Sequence, residues 1–282
     1  MRLVLLGVRG STPAPGPEFV RYGGHTSCVA VALDGQLPSL ILDAGTGLRG
    51  LSLLLGGRPF SGAIVLGHLH WDHTQGLPFS SVVDNPGATV DLWMPAQGDA
   101  LETLTRGMSP PNFPITPGQL RGTWRFGGLE EGVHDIAGFE VLAREIPHKG
   151  GRTFGYRVSD GRSSFAYLSD HCPTNLGPGP AGLGELHPAA LALADGCDLL
   201  IHDAQYLDEE LAEKANFGHS AASYPVALAE AASVPSVLLF HHDPPRTDDA
   251  IDALVARYAN APVEVEGARQ GSVIDLGKPA AA

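Results

Sequence analysis

Short apolar runs recur along the chain and are separated by glycine and proline. Runs of this length, rich in Val, Ile and Leu and bounded by turn residues, predict β-strands. In the first half these runs are Leu3–Leu6, Cys28–Ala32, Leu40–Leu42, Ala63–Leu66 and Thr89–Trp93. In the second half they are Phe139–Ile146, Thr153–Val158, Ser164–Leu168, Leu199–His202, Ser236–Phe240 and Ser272–Leu276. Several of the predicted strands end at, or just before, a histidine or an aspartate.

Fewer segments have a helical pattern. They are Leu48–Leu55, Ala100–Arg106, Pro188–Ala194, Asp208–Ala215, Ala227–Ala232 and Asp248–Tyr258. Because strands and helices alternate in both halves, we expect an α/β fold in which two sheets pack face to face with helices outside them, a four-layered αββα sandwich. The segment 107–118, GMSPPNFPITPG, contains four prolines and predicts a loop.

Composition narrows the class of protein. With 282 residues, of which 43% are hydrophobic, the chain can bury a large core, and we expect one domain spanning residues 1–282. The net charge of −13 makes extended nucleic acid an unfavourable partner but leaves small anionic ligands open. Three scattered cysteines and the absence of a long apolar stretch predict a cytoplasmic protein without a membrane span.

Four side chains that can bind metals follow the predicted strand Ala63–Leu66. They are His68, His70, Asp72 and His73, in the run HLHWDH. Residues at alternating positions beyond a strand end can converge on one point in the following loop. Imidazoles and a carboxylate without thiolates favour Zn, Mn or Fe(II) in a partly open catalytic site.

Three later strand ends supply further candidate ligands. They are His148, Asp170 and His241. His242 competes with its neighbour His241, because the alternation of a strand lets only one of two successive side chains face inward easily. The full set therefore has seven members, enough for two metal ions.

These residues resemble the metallo-β-lactamase-fold hydrolases, whose H-x-H-x-D-H motif corresponds to HLHWDH. The resemblance implies one metal bound by His68, His70 and His148, a second bound by Asp72, His73 and His241, and Asp170 bridging them. It also implies two divalent ions, with Zn favoured and Mn or Fe as alternatives, and a bridging hydroxide as the nucleophile. Asp72 is thus counted both as a ligand and as a catalytic residue. The segment 42–47, LDAGTG, is similar to the family's early strand-turn, whose aspartate, here Asp43, orients ligands from behind.

The tripeptide Gly218-His219-Ser220 is similar to a loop of the ribonuclease Z and phosphodiesterase branch of that family. There the histidine protonates the leaving alkoxide, so the resemblance makes His219 a catalytic residue. Protonation of this kind contributes about 10²–10⁴-fold to rate. The alternative is that His219 caps the next helix or lies on the surface, and Pro225 restricts how a helix can begin at Ser220.

Together these features predict a binuclear metal-dependent phosphodiesterase that hydrolyses a small phosphodiester, such as a cyclic nucleotide. Three alternatives stay open: a tRNA 3′-processing endonuclease of the ribonuclease Z type, a thioester or lactone hydrolase, and a non-catalytic metal- or nucleotide-binding protein. The sequence shows no long basic arm for gripping tRNA. A homodimer is compatible with all four hypotheses.

Overall fold

A computed structural model describes residues 1–277, and its strands form two mixed sheets of seven strands each. In chain order the strands are β1 (Arg2–Gly7), β2 (Cys28–Ala32), β3 (Leu40–Leu42), β4 (Ser61–Val65), β5 (Thr89–Pro95), β6 (Thr123–Leu129), β7 (Gly132–Ile136), β8 (Phe139–Glu145), β9 (Phe154–Ser159), β10 (Ser164–Leu168), β11 (Leu199–Asp203), β12 (Ser236–Phe240), β13 (Glu264–Gly267) and β14 (Val273–Asp275).

The first sheet has the order β14-β1-β2-β3-β4-β5-β6, and the second has the order β13-β12-β11-β10-β9-β8-β7. Each sheet has an antiparallel part and a parallel part: β3 to β6 are parallel in the first, and β10 to β13 are parallel in the second. The carboxyl ends of parallel strands meet at one sheet edge, so the loops that follow β4, β10, β11 and β12 can build a common site.

Seven α-helices lie among the described residues: α1 (Leu51–Leu54), α2 (Trp71–Thr74), α3 (Ala100–Gly107), α4 (Pro188–Ala194), α5 (Asp208–Lys214), α6 (Ser223–Ala231) and α7 (Asp248–Ala256). Short 3₁₀ turns occur at Pro17–Phe19, Thr46–Gly50, Leu77–Phe79, Pro117–Gln119, Pro173–Leu176, Pro180–Gly182 and Ala215–Phe217. Within residues 1–277, no helix has the length and apolar character needed to cross a membrane.

The main core lies between the two sheets, and strand alternation explains its composition. Leu3 and Leu5 of β1 point into this core with Tyr156 and Phe240 of the second sheet. The intervening residue of β1, Val4, points to the opposite face, where a second cluster includes residues of α1 and α3. Full burial of one such side chain contributes about 1.5–3 kcal/mol.

The outer face of the second sheet is covered in the same way, by α4 and α6, with a third apolar cluster beneath them. Helix, sheet, sheet and helix therefore form four layers, and the predicted αββα sandwich is confirmed. The prediction of one domain over residues 1–282 extends to residues 278–282, which lie outside the described residues, and it stays a prediction.

Three strands and one α-helix were not predicted from the hydrophobic pattern. Three of them, β6, β7 and β13, are edge strands. The sequence of β6 contains Gly127-Gly128, which weakens strand propensity, and β13 alternates with glutamates. The fourth is the single-turn helix α2, which lies within the HLHWDH run itself.

Two helix boundaries also differ from the sequence prediction. The predicted helix Leu48–Leu55 divides into a 3₁₀ turn, Thr46–Gly50, and α1. Pro225 lies in the first turn of α6, where its missing N–H would have had no intrahelical partner. That helix therefore begins at Ser223, three residues after Ser220.

Candidate metal centre

The seven predicted ligands come together at the carboxyl edges of the two sheets. The first sheet contributes the HLHWDH run, which leaves β4 and turns into α2. The second sheet contributes Asp170 after β10 and His241 after β12, while His148 lies in the loop between β8 and β9. Parallel register pairs Leu168 with His202, and His202 with Leu239, so the loops after these three strands start side by side.

The ligand-type atoms fall into two groups, each with its atoms within 4.8 Å of one another. The first ligand group is His68, His70, His148 and Asp170, and the second is Asp72, His73, His241 and Asp170. Asp170 Oδ2 faces the first group, 3.7 Å from His68 Nε2 and 3.6 Å from His148 Nε2. Asp170 Oδ1 faces the second group, 3.0 Å from His73 Nε2 and 3.3 Å from His241 Nε2.

These spacings and the donor atoms fit divalent metals. Ligand atoms about 2.0–2.1 Å from a tetrahedral Zn²⁺ lie about 3.3 Å from one another, and the distances from Asp170 to the four imidazoles, 3.0 to 3.7 Å, bracket that value. Three buried atoms, His68 Nε2, His73 Nε2 and Asp170 Oδ1, have no hydrogen-bond partner among the described residues. Buried polar atoms left without partners are costly, and a shared cation would satisfy them.

The electrostatics of the two groups differ. Burial lowers the pKa of His68 well below its usual value, and it lowers the pKa of His148 to about 4. Burial also opposes the charged form of His73, but the carboxylates of Asp72 and Asp170 outweigh that effect and raise its pKa well above the usual value. A divalent cation binds neutral imidazole and would displace the proton from His73.

Residues that are not themselves ligands form hydrogen bonds that orient the second ligand group. Asp43 Oδ2 lies 2.8 Å from His73 Nδ1 and also accepts from the Tyr167 hydroxyl at 2.7 Å. The side-chain oxygen of Gln205 lies 2.8 Å from His241 Nδ1. The backbone N–H of Ser11 donates to Asp72 Oδ2 at 2.8 Å. Each contact fixes the direction in which a ligand presents its metal-binding atom.

Three of the six described non-glycine residues with left-handed backbone lie at this site. Ser11, Asp43 and His241 have φ values of +56°, +58° and +59°, although none is glycine. Such conformations cost about 1–3 kcal/mol each and persist where the surroundings enforce them. At His241 the backbone turns the imidazole toward the ligands, whereas His242 donates from Nε2 to the Ala268 carbonyl at 2.8 Å.

The Gly218-His219-Ser220 loop packs directly against the ligands. The Gly218 carbonyl accepts from His148 Nδ1 at 2.6 Å. Gly218 has a φ of +100°, and a Cβ there would lie 3.3 Å from the His148 ring, so both conformation and space favour glycine. Ser220 Oγ donates to the His171 carbonyl at 2.7 Å and ties the loop to the segment after β10.

His219 is buried and belongs to a histidine–aspartate pair. Its Nδ1 lies 2.9 Å from Asp203 Oδ2. Burial disfavours the charged imidazole, but the Asp203 carboxylate outweighs that effect and raises the pKa of His219 to about 9. With Nδ1 engaged by Asp203, Nε2 is the ring nitrogen left to face the cavity beside the ligands.

That cavity has a volume of about 650 Å³ and contacts both ligand groups. Its wall includes His70, Asp72, His148, Asp170 and His219, together with Ser11, Gln205 and Lys214. A volume of this size is within the range of pockets that hold small molecules, about 300–1,000 Å³. The arrangement can hold two cations, position a small substrate beside them and donate a proton to it.

Several residues of this site were not assigned a role by the sequence. Asp203 and Gln205 lie at the end of β11, where alternating positions leave a strand toward the site. The strand ending at an aspartate was the available signal for Asp203. Ser11 acts through its backbone N–H and Lys214 comes from α5, so no ligand-type spacing indicated either of them.

Comparison with known proteins identifies the family. A model of the β-lactamase superfamily domain matches residues 39–242, and the chain belongs to this superfamily. A ribonuclease Z of Salinibacter ruber is 28% identical, and the alignment covers 77% of this chain and 79% of the relative. The resemblance noted in the sequence is therefore confirmed, and the chain is a hydrolase of the metallo-β-lactamase fold.

Solved structures show the same fold. The metallo-β-lactamase fold protein YhfI from Bacillus subtilis superposes with a TM-score of 0.71 at 16% identity, covering 97% of this chain and 99% of that one. A diphosphatase from the PhnP family superposes with a TM-score of 0.70 at 18% identity, covering 97% of each chain. Identities this low establish the architecture only.

Proposed function

We propose that the protein is a binuclear metal-dependent phosphodiesterase that acts on a small phosphodiester. The observation that carries this proposal is the geometry of Asp170, which turns one carboxylate oxygen toward each ligand group beside a cavity that is also lined by His219, the partner of Asp203. Two cations held this way would supply Lewis acidity and an activated water, the chemistry suited to displacement at phosphorus. The nitrogen and oxygen donors favour Zn, with Mn or Fe as alternatives.

The protein's own residues divide the remaining work. His68, His70 and His148 would hold one cation, Asp72, His73 and His241 the other, and Asp170 both. As the bond between phosphorus and the leaving oxygen breaks, His219 Nε2 would give its proton to that oxygen. Asp203 would keep the imidazole in the orientation and protonation state that this transfer requires.

The chain's charge and the cavity's size support a small substrate. The net charge of −13 repels a long polyanion, whereas two divalent cations would make the site locally attractive to a single phosphoryl group. The cavity of about 650 Å³ accommodates a nucleotide-sized ligand.

A second candidate, processing of tRNA 3′ ends, is favoured by one observation. The relative from Salinibacter ruber is a ribonuclease Z and aligns with 77% of this chain. Both candidates use the same metals and the same proton donor, so the site alone does not separate them. A thioester or lactone substrate would not require His219, and a non-catalytic binding protein would not require an activated water.

The test is a substrate panel with protein reconstituted in Zn²⁺ or Mn²⁺. It comprises adenosine 3′,5′-cyclic phosphate, bis(p-nitrophenyl) phosphate, a tRNA precursor and a thioester. We expect turnover of one or both small diesters, with Asp170→Asn inactive as the matched control. Cleavage of the tRNA precursor with far higher kcat/KM than either diester would establish the ribonuclease instead, and turnover of the thioester alone would overturn both proposals.

A further inference from the structure

A second cavity, of about 370 Å³, adjoins the metal centre. The two cavities share Leu69 and Trp71, which alternate with the ligands His70 and Asp72 in the HLHWDH run. Trp71 begins helix α2, and its backbone carbonyl anchors the turn by accepting from the Gln75 N–H at 2.8 Å. A molecule whose phosphoryl group lies at the ligands and that extends past Trp71 therefore enters the second cavity.

Three aromatic side chains, Trp71, Phe79 and Phe113, contribute to the wall of this second cavity, and two of them are largely exposed to solvent. Trp71 is 72% exposed and Phe79 is 60% exposed. Phe113, from the proline-rich segment 107–118, meets Phe79 edge to face at 5.8 Å between ring centroids. Exposed aromatic groups gathered around one cavity beside a catalytic site are typical of a ligand-binding surface.

The chemistry of this wall differs from that of the metal cavity. The metal cavity is lined by ionisable groups, including Asp72, Asp170, Lys214 and Asp243. The described residues that line the second cavity are all uncharged. With two cations bound by the ligand groups, the first cavity would attract charged phosphoryl oxygens, whereas the uncharged wall of the second cavity suits a neutral group.

Two amides add hydrogen-bonding capacity to the aromatic surface. Gln75 and Asn112 line the cavity, and among residues 1–277 their side-chain amides have no hydrogen-bond partner. The hydroxyls of Thr74 and Thr103, by contrast, are bonded to backbone carbonyls of their own helical turns. Free amides offer donor and acceptor together, which matches the edge of a heterocyclic base, while the aromatic rings match its face.

We propose that the cavity bounded by Trp71, Phe79 and Phe113 is a subsite for the nucleobase of a nucleotide diester. This inference rests on the proposed phosphodiesterase function and specifies its substrate class. Trp71 precedes the ligand Asp72, so a base held against its indole is positioned relative to the phosphorus by a rigid helical turn. The subsite would thus contribute to binding and to orientation of the scissile ester.

Two substrates that differ only in the base test the subsite. They are adenosine 3′,5′-cyclic phosphate and the abasic 1-O-methylribose 3,5-cyclic phosphate, assayed for kcat/KM with the metal-loaded enzyme. Phe113→Ala should lower kcat/KM for the nucleotide about tenfold, the effect expected for loss of one base-stacking contact, and change the abasic substrate less than about twofold. Phe79→Ala is a second variant at a more exposed position, and Leu53→Ala, at an 85% exposed side chain outside both cavities, is the matched control.

Binding of adenosine itself separates failure of the subsite from failure of the proposed function. Equilibrium dialysis should show adenosine binding that is weakened about tenfold by Phe113→Ala, unaffected by Leu53→Ala and independent of hydrolysis. If adenosine fails to bind at millimolar concentration, or binds wild type and Phe113→Ala equally, the subsite is refuted. If it binds as expected but neither cyclic phosphate nor bis(p-nitrophenyl) phosphate is hydrolysed, the cavity binds bases and the phosphodiesterase proposal is wrong.

Discussion

The two ligand groups share Asp170 but differ in how much protein surrounds them. In the second group, His73, His241 and Asp72 are buried, and each is held by an outside partner: Asp43, Gln205 or the Ser11 N–H. In the first group, only His148 has such a partner, the Gly218 carbonyl; His70 is exposed, and His68 Nδ1 has no hydrogen-bond partner among the described residues. A hydrogen bond that fixes the direction of a ligand strengthens metal binding. More ligands of the second group have such a bond, so the second group should bind its cation more tightly.

The same difference suggests that the two cations would differ in how accessible they are to a substrate. The exposed His70 and the loop residue His148 line the metal cavity, whereas His73 and His241 are buried and are not among the residues that line it. A cation in the first group would be the more accessible to substrate and the more readily exchanged. Variants that remove a ligand of both groups, a ligand of one group or a hydrogen-bond partner of a ligand test this difference.

The largest effect is expected from Asp170→Ala. Because each of its oxygens faces a different ligand group, its removal should weaken both sites and take turnover below detection. Metal content by mass spectrometry and diester hydrolysis are the measurements, with Asp135→Ala, an exposed residue of β7, as the control. Retention of two tightly bound ions in Asp170→Ala would contradict its bridging position.

His219→Ala should have the next largest effect, because it removes the proton donor and leaves both ligand groups intact. We expect turnover of a diester with a poor leaving group to fall about 10²–10⁴-fold while metal content stays unchanged. His134→Ala, at a histidine of β7 remote from the cavity, should behave as wild type. Unchanged turnover in His219→Ala would eliminate the general-acid role.

Asp43→Asn tests the carboxylate that orients His73, a ligand of the second group. Loss of the carboxylate beside His73 should weaken the tighter cation about 10–100-fold, measured by competition with a chelator. His70→Ala should instead affect the weaker cation. If Asp43→Asn and His70→Ala weakened the same site, the assignment of the two groups would be wrong.

The smallest effect is expected from Gln205→Ala, which removes one neutral hydrogen bond from His241. Such a bond contributes about 1 kcal/mol, so affinity for the tighter cation should fall about fivefold. Gln205→Glu retains an acceptor for His241 Nδ1 and should restore most of that affinity. Equal losses in both variants would show that the amide matters for packing rather than for orienting the imidazole.

The structure brings the seven predicted ligands together because each of them lies at or just beyond the end of a strand. Alternating polar residues directly after the apolar run Ala63–Leu66 can only lie at one sheet edge, and the same holds for Asp170 and His241. The edge strands β6 and β13 escaped because half of their residues face solvent and their apolar pattern is weak. Metal binding by these seven residues stays a prediction, which a measurement of metal content tests.

The supporting residues could not be found by spacing. Asp203 and Gln205 act across distances of 16 and 36 residues in the chain, through the packing of β11 against its neighbours. Ser11 contributes a backbone N–H, which any residue with that conformation would supply. The second cavity likewise depends on the contact between Phe113 and Phe79, which no local sequence pattern specifies.

The count and relative affinity of bound metal test the central claim most directly. Metal-free protein titrated with Zn²⁺, followed by isothermal calorimetry and mass spectrometry, should bind two ions per chain in two steps of unequal affinity. Asp43→Asn should weaken the tighter step and His70→Ala the weaker one. A single ion per chain in the wild type would contradict the binuclear site and the phosphodiesterase mechanism built on it.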